Sequence, residues 1–314
     1  MAQPFSLHTG HMSNPLTDLT SFSDAMVQLV TATQASVIAV KAGAYRTVSG
    51  VAIDAHHIAV PEHALRRKDD IPLVTADGQK AAAKVLGRDP GIDLAILWTD
   101  KLPLVPLAVA ENLKAGMLAA VIGMTADVGA SVSLGILGAV GAARRTWRGG
   151  TLDHFVRLDV NLYPSQNGAA VVNGDGQLIG MATPALSRHS TMAIPVSAIA
   201  RTVSELQKEG RIRQGWLGVG VQPVQIPMHL REKLAGAPEF GLILLNAVAD
   251  SPAAEAGLQI GDILITLDGK SVSDVEELQA LLRGSLVGKQ VQVLALRGGE
   301  PLHVTITIQE AKKD

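Results

Sequence analysis

From Ala35 to about Pro195 the chain is written in short apolar runs, among them SVIAVKA, TVSGVAID, HIAV, LAILWT, AAVIGM, HFVRLDV, AAVVNG and LIGMATP, divided by Gly, Asp, Asn and Pro. Runs of about four to eight residues with β-branched content and turn formers between them predict many strands and few helices. ADGQK at 76–80 and NGDGQL at 173–178 predict hairpins, because Gly after Asp or Asn supplies the positive φ that tight turns require. An all-β barrel or sandwich is expected. The period then changes in IPVSAIARTVSELQKE, 194–209, where Val196, Ile199, Val203 and Leu206 share one helical face before Gly210 ends it. That helix and the polar RIRQG after it predict a domain boundary.

Beyond the boundary, WLGVGVQPV, FGLILLNAVAD, SPAAEAGLQIGD, ILITLDGKSV, SDVEELQALLRG, KQVQVLALRGGEP and HVTITIQ predict strand, strand, short helix, strand, helix, strand, strand. Ser273 is placed to cap the second helix, with Glu276 closing a capping box and Asp274 and Glu277 also near its N-terminus.

Composition narrows the possible chemistry. The chain has 314 residues, 47% of them hydrophobic, enough for a large core and a smaller second one. Charged residues are 18% and the formal net charge is -2, so no nucleic-acid partner is expected. Cysteine is absent, which excludes disulfides and thiolate chemistry. No apolar run reaches the roughly 18 residues of a membrane span, and the N-terminus lacks a basic start followed by an apolar run. A cytoplasmic location is expected for the chain as written, and a periplasmic one if a leader has been removed. Residues 1–20 read as a flexible extension or expression remnant.

The C-terminal unit, 211–314, resembles a PDZ domain as found in HtrA/DegP-like proteases, through WLGVGV at 216–221, SPAAEAGLQIGDILITLDGKSV at 251–272 and VEELQALL at 275–282. The resemblance implies a small α+β barrel that binds peptides or protein C-termini. Trp216, Leu217, Gly218 and Val219 would form the carboxylate loop and adjoining strand, with Leu278 and Leu282 on the opposite wall. Taken singly, each of these apolar residues reads as core; taken together, the set reads as a peptide groove.

Residues 21–210 resemble the chymotrypsin/trypsin-like double β-barrel of the same family. SGVAIDAHHIAVPEHAL, KVLGRDPGIDLAIL, VIGM and DVNLYPSQNGAAVVNGDGQLIGM occur in the family's order. The resemblance puts His63 at the base position and Asp93, 30 residues later, at the orienting position. The family's GNSGG is Ser165, Gln166, Asn167, Gly168, Ala169, so Asn167 stands where the nucleophilic serine belongs. A carboxamide has no hydroxyl to ionise, and its nitrogen lone pair is delocalised. Ser165 replaces a glycine of the oxyanion loop, and Pro164 with Tyr163 restricts it further.

Three substitutes for the nucleophile or base are conceivable: Ser165, two residues from the tip; His57, which reads as a solvent-facing turn histidine; and a metal held by His56, His57, His63 and Asp93. None has the spacing its chemistry requires. No metal or cofactor is expected. Leu186, Arg188 and His189 add bulk where active relatives often carry glycines. ARRTWRGGTLD at 143–153 corresponds to the family's relay loop, and its arginines and Trp147 are set to meet an acidic neighbour, to pack under the PDZ domain or to stay solvated. The expected function is that of a noncatalytic, pseudoprotease-type HtrA protein that binds peptides through its PDZ domain. The alternatives are an endopeptidase of protein quality control with an atypical site and a regulatory subunit of an active relative. A homotrimer is expected by family analogy, with Phe22 and Phe5 as the aromatic residues near its N-terminus.

Overall fold

The computed structural model describes residues 15–43, 46–65, 70–187, 189–209, 215–234, 238–282 and 286–311. Helix α1 (Pro15–Thr33) opens the described chain. Met26, Leu29 and Val30 recur at helical spacing and pack on the barrel core, a face too sparse to stand out in the sequence. Phe22 on this helix is exposed; Phe5, with 1–14, lies outside the described residues.

Strands β1 (Val37–Lys41), β2 (Thr47–Ala52), β3 (His57–Pro61), β4 (Asp70–Val74), β5 (Lys80–Asp89) and β6 (Leu94–Trp98) close a six-stranded antiparallel barrel in the order β1-β2-β3-β6-β5-β4. The second barrel follows with β7 (Leu118–Thr125), β8 (Gly129–Gly141), a small hairpin β9 (Arg144–Arg145) and β10 (Thr151–Leu152), then β11 (Phe155–Asp159), β12 (Ala170–Val172), β13 (Leu178–Thr183) and β14 (Thr191–Pro195). Its order is β11-β14-β13-β12-β7-β8, with the hairpin outside it.

The continuous apolar runs have a direct cause in packing. Val37 and Ala39 of β1 join a cluster shared with Ile122, Met181 and Ile194 of the second barrel, whereas Ile38 and Val40 point the other way, into the first barrel's own cluster with Ile58 and Leu97. Both parities are buried, so polar alternation is lost. Both expected hairpins form, with Gly78 and Gly176 at positive φ. Helix α2 (Val196–Glu209) buries Ile199, Val203 and Leu206. Leu206 fills the niche beside Gly87, where a Cβ would come within 2.3 Å of it. Gly210 and RIRQG fall outside the described residues.

The C-terminal unit comprises β15 (Gly215–Trp216), β16 (Val219–Gln225), α3 (Met228–Lys233), β17 (Phe240–Ala247), α4 (Pro252–Glu255), β18 (Ile263–Leu267), β19 (Lys270–Ser271), α5 (Val275–Leu281), β20 (Gln290–Arg297), β21 (Glu300–Thr307) and β22 (Gln309–Glu310). The sheet runs β16-β17-β18-β20-β21, β19 pairs with β18, and β15 pairs with β22. Helix α3 was not anticipated.

The cap of α5 is shifted by one residue from the expected box. Asp274 accepts from the Glu277 amide at 2.6 Å, and the Glu277 carboxylate accepts from the amide and hydroxyl of Ser273 at 2.8 and 2.7 Å. Val275 opens the helix, so the residue three places into it is Glu277; the side chain of Glu276 lies outside the described residues. Burial pulls the Glu277 carboxyl up, but the Ser273 hydrogen bonds and the nearby charge of Arg145 outweigh it and hold the group below its usual range.

Candidate active site

Two adjacent strands bring the ends of a 30-residue segment together. In the β3–β6 register Pro61 faces Leu94, so the residues just after β3 and just before β6 meet. His63 lies in a 3-10 turn, Glu62–Ala64, and Asp93 ends a second one, Pro90–Ile92. The second turn is fixed by Asp89, which accepts from the Gly91 amide at 3.0 Å. Asp93 adopts φ 57, a left-handed conformation tolerated by Asp better than by most residues. Its carboxylate is fully buried.

That carboxylate is held from three sides. His63 Nδ1 lies 2.8 and 2.9 Å from its oxygens, the His63 amide donates at 3.0 Å, and the Thr183 hydroxyl donates at 2.6 Å. Arg148 approaches to 3.8 Å. Since an ionised carboxylate only accepts, Nδ1 carries the ring proton and Nε2 presents its lone pair. Asn167 Nδ2 donates to that lone pair at 2.9 Å. The geometry is that of an aspartate–histidine–nucleophile line with a carboxamide at its end. Thr183 has no signal of its own in the sequence; only its position, at the end of an apolar strand, could have pointed to it.

The loop carrying Asn167 is clamped between the barrels by Ser49. The Ser49 hydroxyl donates to the Ser165 carbonyl at 2.7 Å and accepts from the Met124 amide at 2.9 Å, while the Ser49 amide donates to the Asn167 carbonyl at 2.9 Å. Gly168 has φ 85, and a Cβ there would lie 2.1 Å from the Ser49 carbonyl oxygen, so both conformation and space require glycine. Gln166 is buried and accepts from Ser133 Oγ at 2.9 Å and the Tyr163 amide at 3.0 Å. Ala169 is also buried. Pro164–Gln166 form a 3-10 turn in which the Asn167 amide donates to the Pro164 carbonyl at 3.4 Å. This amide, which would meet an oxyanion, is therefore turned toward the protein's own carbonyl. Asn167 Oδ1 is buried without a hydrogen-bond partner. A cavity of about 280 Å3, bordered by Thr47, Leu162, Tyr163 and Pro184, opens beside Asn167.

The weighed substitutes fall elsewhere. His63 Nε2 meets Asn167, while Ser165 takes part through its backbone carbonyl. His57 is buried rather than solvent-facing, because it begins β3 opposite Trp98 and gives its Nδ1 to Asp54 at 2.7 Å. Burial raises the Asp54 carboxyl, but hydrogen bonds from His56 and His57 win and lower it. Among the described residues no cluster of three or more His, Asp or Glu is arranged to hold a metal ion. His189 borders a separate cavity, Leu186 is buried, and Arg188 is outside the described residues. In the small unit Leu217, Leu278 and Leu282 are packed in the core. Trp216 ends β15 and Val219 opens the edge strand β16, with Gly218 between them at φ 75 and its carbonyl held by the Val248 amide at 2.7 Å.

A family profile described as a trypsin-like peptidase domain matches residues 48–181, and one described as a PDZ domain matches 215–308. A probable periplasmic serine endoprotease, DegP-like, of Halomonas elongata is 30% identical over 259 residues, which is 80% of this chain and 54% of the relative. The corresponding protein of Chlamydia trachomatis is 27% identical over 81% of this chain and 52% of its own length. The crystal structure of the serine endoprotease from Yersinia pestis aligns with TM-score 0.70 and 25% identity, covering 91% of this chain and 98% of that one. The chain belongs to the HtrA family.

It spans about half the length of the curated relatives it matches. A further HtrA-type protease, AlgW with tripeptide, aligns with TM-score 0.67 at 26% identity over 92% of this chain and 98% of that one. These relatives, all named as proteases, overturn the expectation of a noncatalytic binder. That expectation rested on the lost hydroxyl and on the altered loop around it, Pro164, Ser165 and Ala169. Asparagine removes the acyl-enzyme route, but it leaves the His63–Asp93–Thr183 assembly whole, and a histidine so oriented is a general base for any acidic O–H placed against it.

Proposed function

We propose that this HtrA-family chain is an endopeptidase acting on extended polypeptide, recruited through the PDZ groove, with an atypical active site in which His63 activates water instead of a serine. The observation that supports this most is the buried Asp93 carboxylate, satisfied by His63 and Thr183 together, which fixes the tautomer a general base requires. In the step proposed, Asn167 swings off Nε2. A water oxygen then bonds to the scissile carbonyl carbon as its proton passes to Nε2. The C–N bond breaks as the imidazolium returns that proton to the leaving amine, giving an acid and an amine. The Asn167 amide, released from the Pro164 carbonyl, and its side-chain Nδ2 are the nearest donors for the oxyanion. Peptide would add to β16, the terminal strand of its sheet, along α5.

Casein cleavage by the purified chain, with and without C-terminal peptides, tests this against His63→Ala. Slow cleavage lost by about 10²-fold or more on His63→Ala is expected, within the range of general-base catalysis. Cleavage no greater than that of His63→Ala under every condition would overturn it.

A further inference from the structure

Separate from the triad, the β9–β10 hairpin and Leu186, Ser187 and Ser190 border a cavity of about 280 Å3. Its walls divide by burial: Leu152, Leu186 and Met192 are buried, whereas Arg144, Arg145 and Arg157 are exposed at the rim. Phe155 completes the apolar floor, and the Arg144 guanidinium stands 5.0 Å from its ring centroid, which aims a cation over the opening. Ser187 and Ser190, hydrogen-bonded to each other at 2.9 Å, add hydroxyls to the wall. Such an arrangement, apolar below and cationic above, fits a ligand with an apolar body and one anionic end.

The charge at the rim is not balanced from within. Glu277 of α5 reaches Arg145 at 3.6 Å, so a carboxylate already meets one guanidinium. Among the described residues no carboxylate pairs with Arg144 or Arg157; Arg157 donates to the Gly138 carbonyl at 3.2 Å, which leaves further N–H donors on its fork. The volume equals roughly nine waters at about 30 Å3 each, room for a branched aliphatic group with a carboxylate and too little for a folded segment.

We infer that this pocket binds a small apolar carboxylate, either the last residue of a peptide or a free short-chain acid. The site lies between the β9–β10 hairpin and the second barrel, is distinct from the PDZ loop at Trp216–Val219, and does not depend on hydrolysis at His63. The Trp147 side chain lines it and donates its Nε1–H to the Ala185 carbonyl at 3.1 Å, so the Trp147 indole is a local reporter.

The test titrates the full ¹⁵N-labelled chain with N-acetyl-leucine, N-acetyl-leucine amide and octanoate, following the indole N–H signals. Saturable movement of the Trp147 signal by the two carboxylates is expected, with the amide at least tenfold weaker. Arg144→Gln with Arg157→Gln should weaken binding tenfold or more, and Arg144→Lys should weaken it less. Tighter binding of N-acetyl-leucine than of octanoate would identify a peptide terminus as the source, and the reverse a free acid. Equal binding of the amide, no response at Trp147, or a response confined to Trp216 of the PDZ loop would overturn the inference. Thermal melts of the variants separate lost binding from lost folding.

Discussion

At the second barrel, β13 leaves β12 after the Ala182 amide and carbonyl have paired with Ala169 and Gly168, each at 2.9 Å. The next residues keep their polar groups inside the protein. Thr183 turns its hydroxyl to Asp93, the Ala185 amide donates to Thr183 Oγ1 at 3.1 Å, and the Ala185 carbonyl accepts from Trp147. In the PDZ domain, by contrast, β16 pairs with β17 on one side and ends the sheet on the other. One edge is closed on itself and the other is open. Since β-addition needs free backbone donors and acceptors, peptide capture at β16 requires no prior rearrangement, whereas pairing beside Asn167 requires the Trp147 and Pro164 contacts to be released first.

The largest change expected is in catalysis. Asn167→Ser returns a hydroxyl to a position whose side-chain nitrogen already lies 2.9 Å from His63 Nε2. If the loop can open, casein cleavage should rise by about 10²-fold or more over the parent, and a fluorophosphonate should label the variant but not the parent. A variant that neither cleaves nor labels would mean that the closed 164–167 turn, and not the missing hydroxyl, is the main barrier.

Ser49→Ala probes the clamp beneath that turn. It leaves the Met124 amide and the Ser165 carbonyl short of a partner in a buried place, at a cost of about 2 kcal/mol. Urea melts should show this loss in the barrel transition, with the PDZ transition unmoved. Equal loss in both would show that the two units unfold together and would weaken the contrast between them.

The fold was legible wherever local chemistry and global packing agreed. Both Asx–Gly hairpins, the α2 face of Ile199, Val203 and Leu206, and the order of the main PDZ elements apart from α3 could be read because turn residues and apolar period fell together. His63 and Asp93 could be placed by motif and spacing. Thr183 and Ser49 could not, because each acts through contacts across tens of residues or more and neither belongs to a patterned cluster. The α5 box was misplaced because Ser273, Asp274, Glu276 and Glu277 offer two registers that differ by one residue. The function was misread from the 164–169 loop, because its departures from the family motif outweighed the base assembly behind it.

Acid should act on the open-edge domain through Asp262. This buried carboxylate takes two hydrogen bonds from Arg297, both 2.8 Å, and one from the Gln259 amide, 2.8 Å, while its backbone carbonyl accepts from Leu244 of β17, the strand that supports β16. Burial raises its pKa, but the Arg297 contacts and the amide outweigh this and lower it. A carboxyl lowered in the folded state binds fewer protons than in the unfolded chain, so its stabilisation is present above the unfolded value of about 3.9 and is lost as pH falls through the folded value. Asp262→Asn should therefore cost about 1–2 kcal/mol at pH 7, and the gap to the parent should narrow as pH falls below about 3.9, measured on the PDZ transition in urea. A gap that stayed constant with pH would assign the loss to packing, and the stability of the open edge would then rest on the sheet alone.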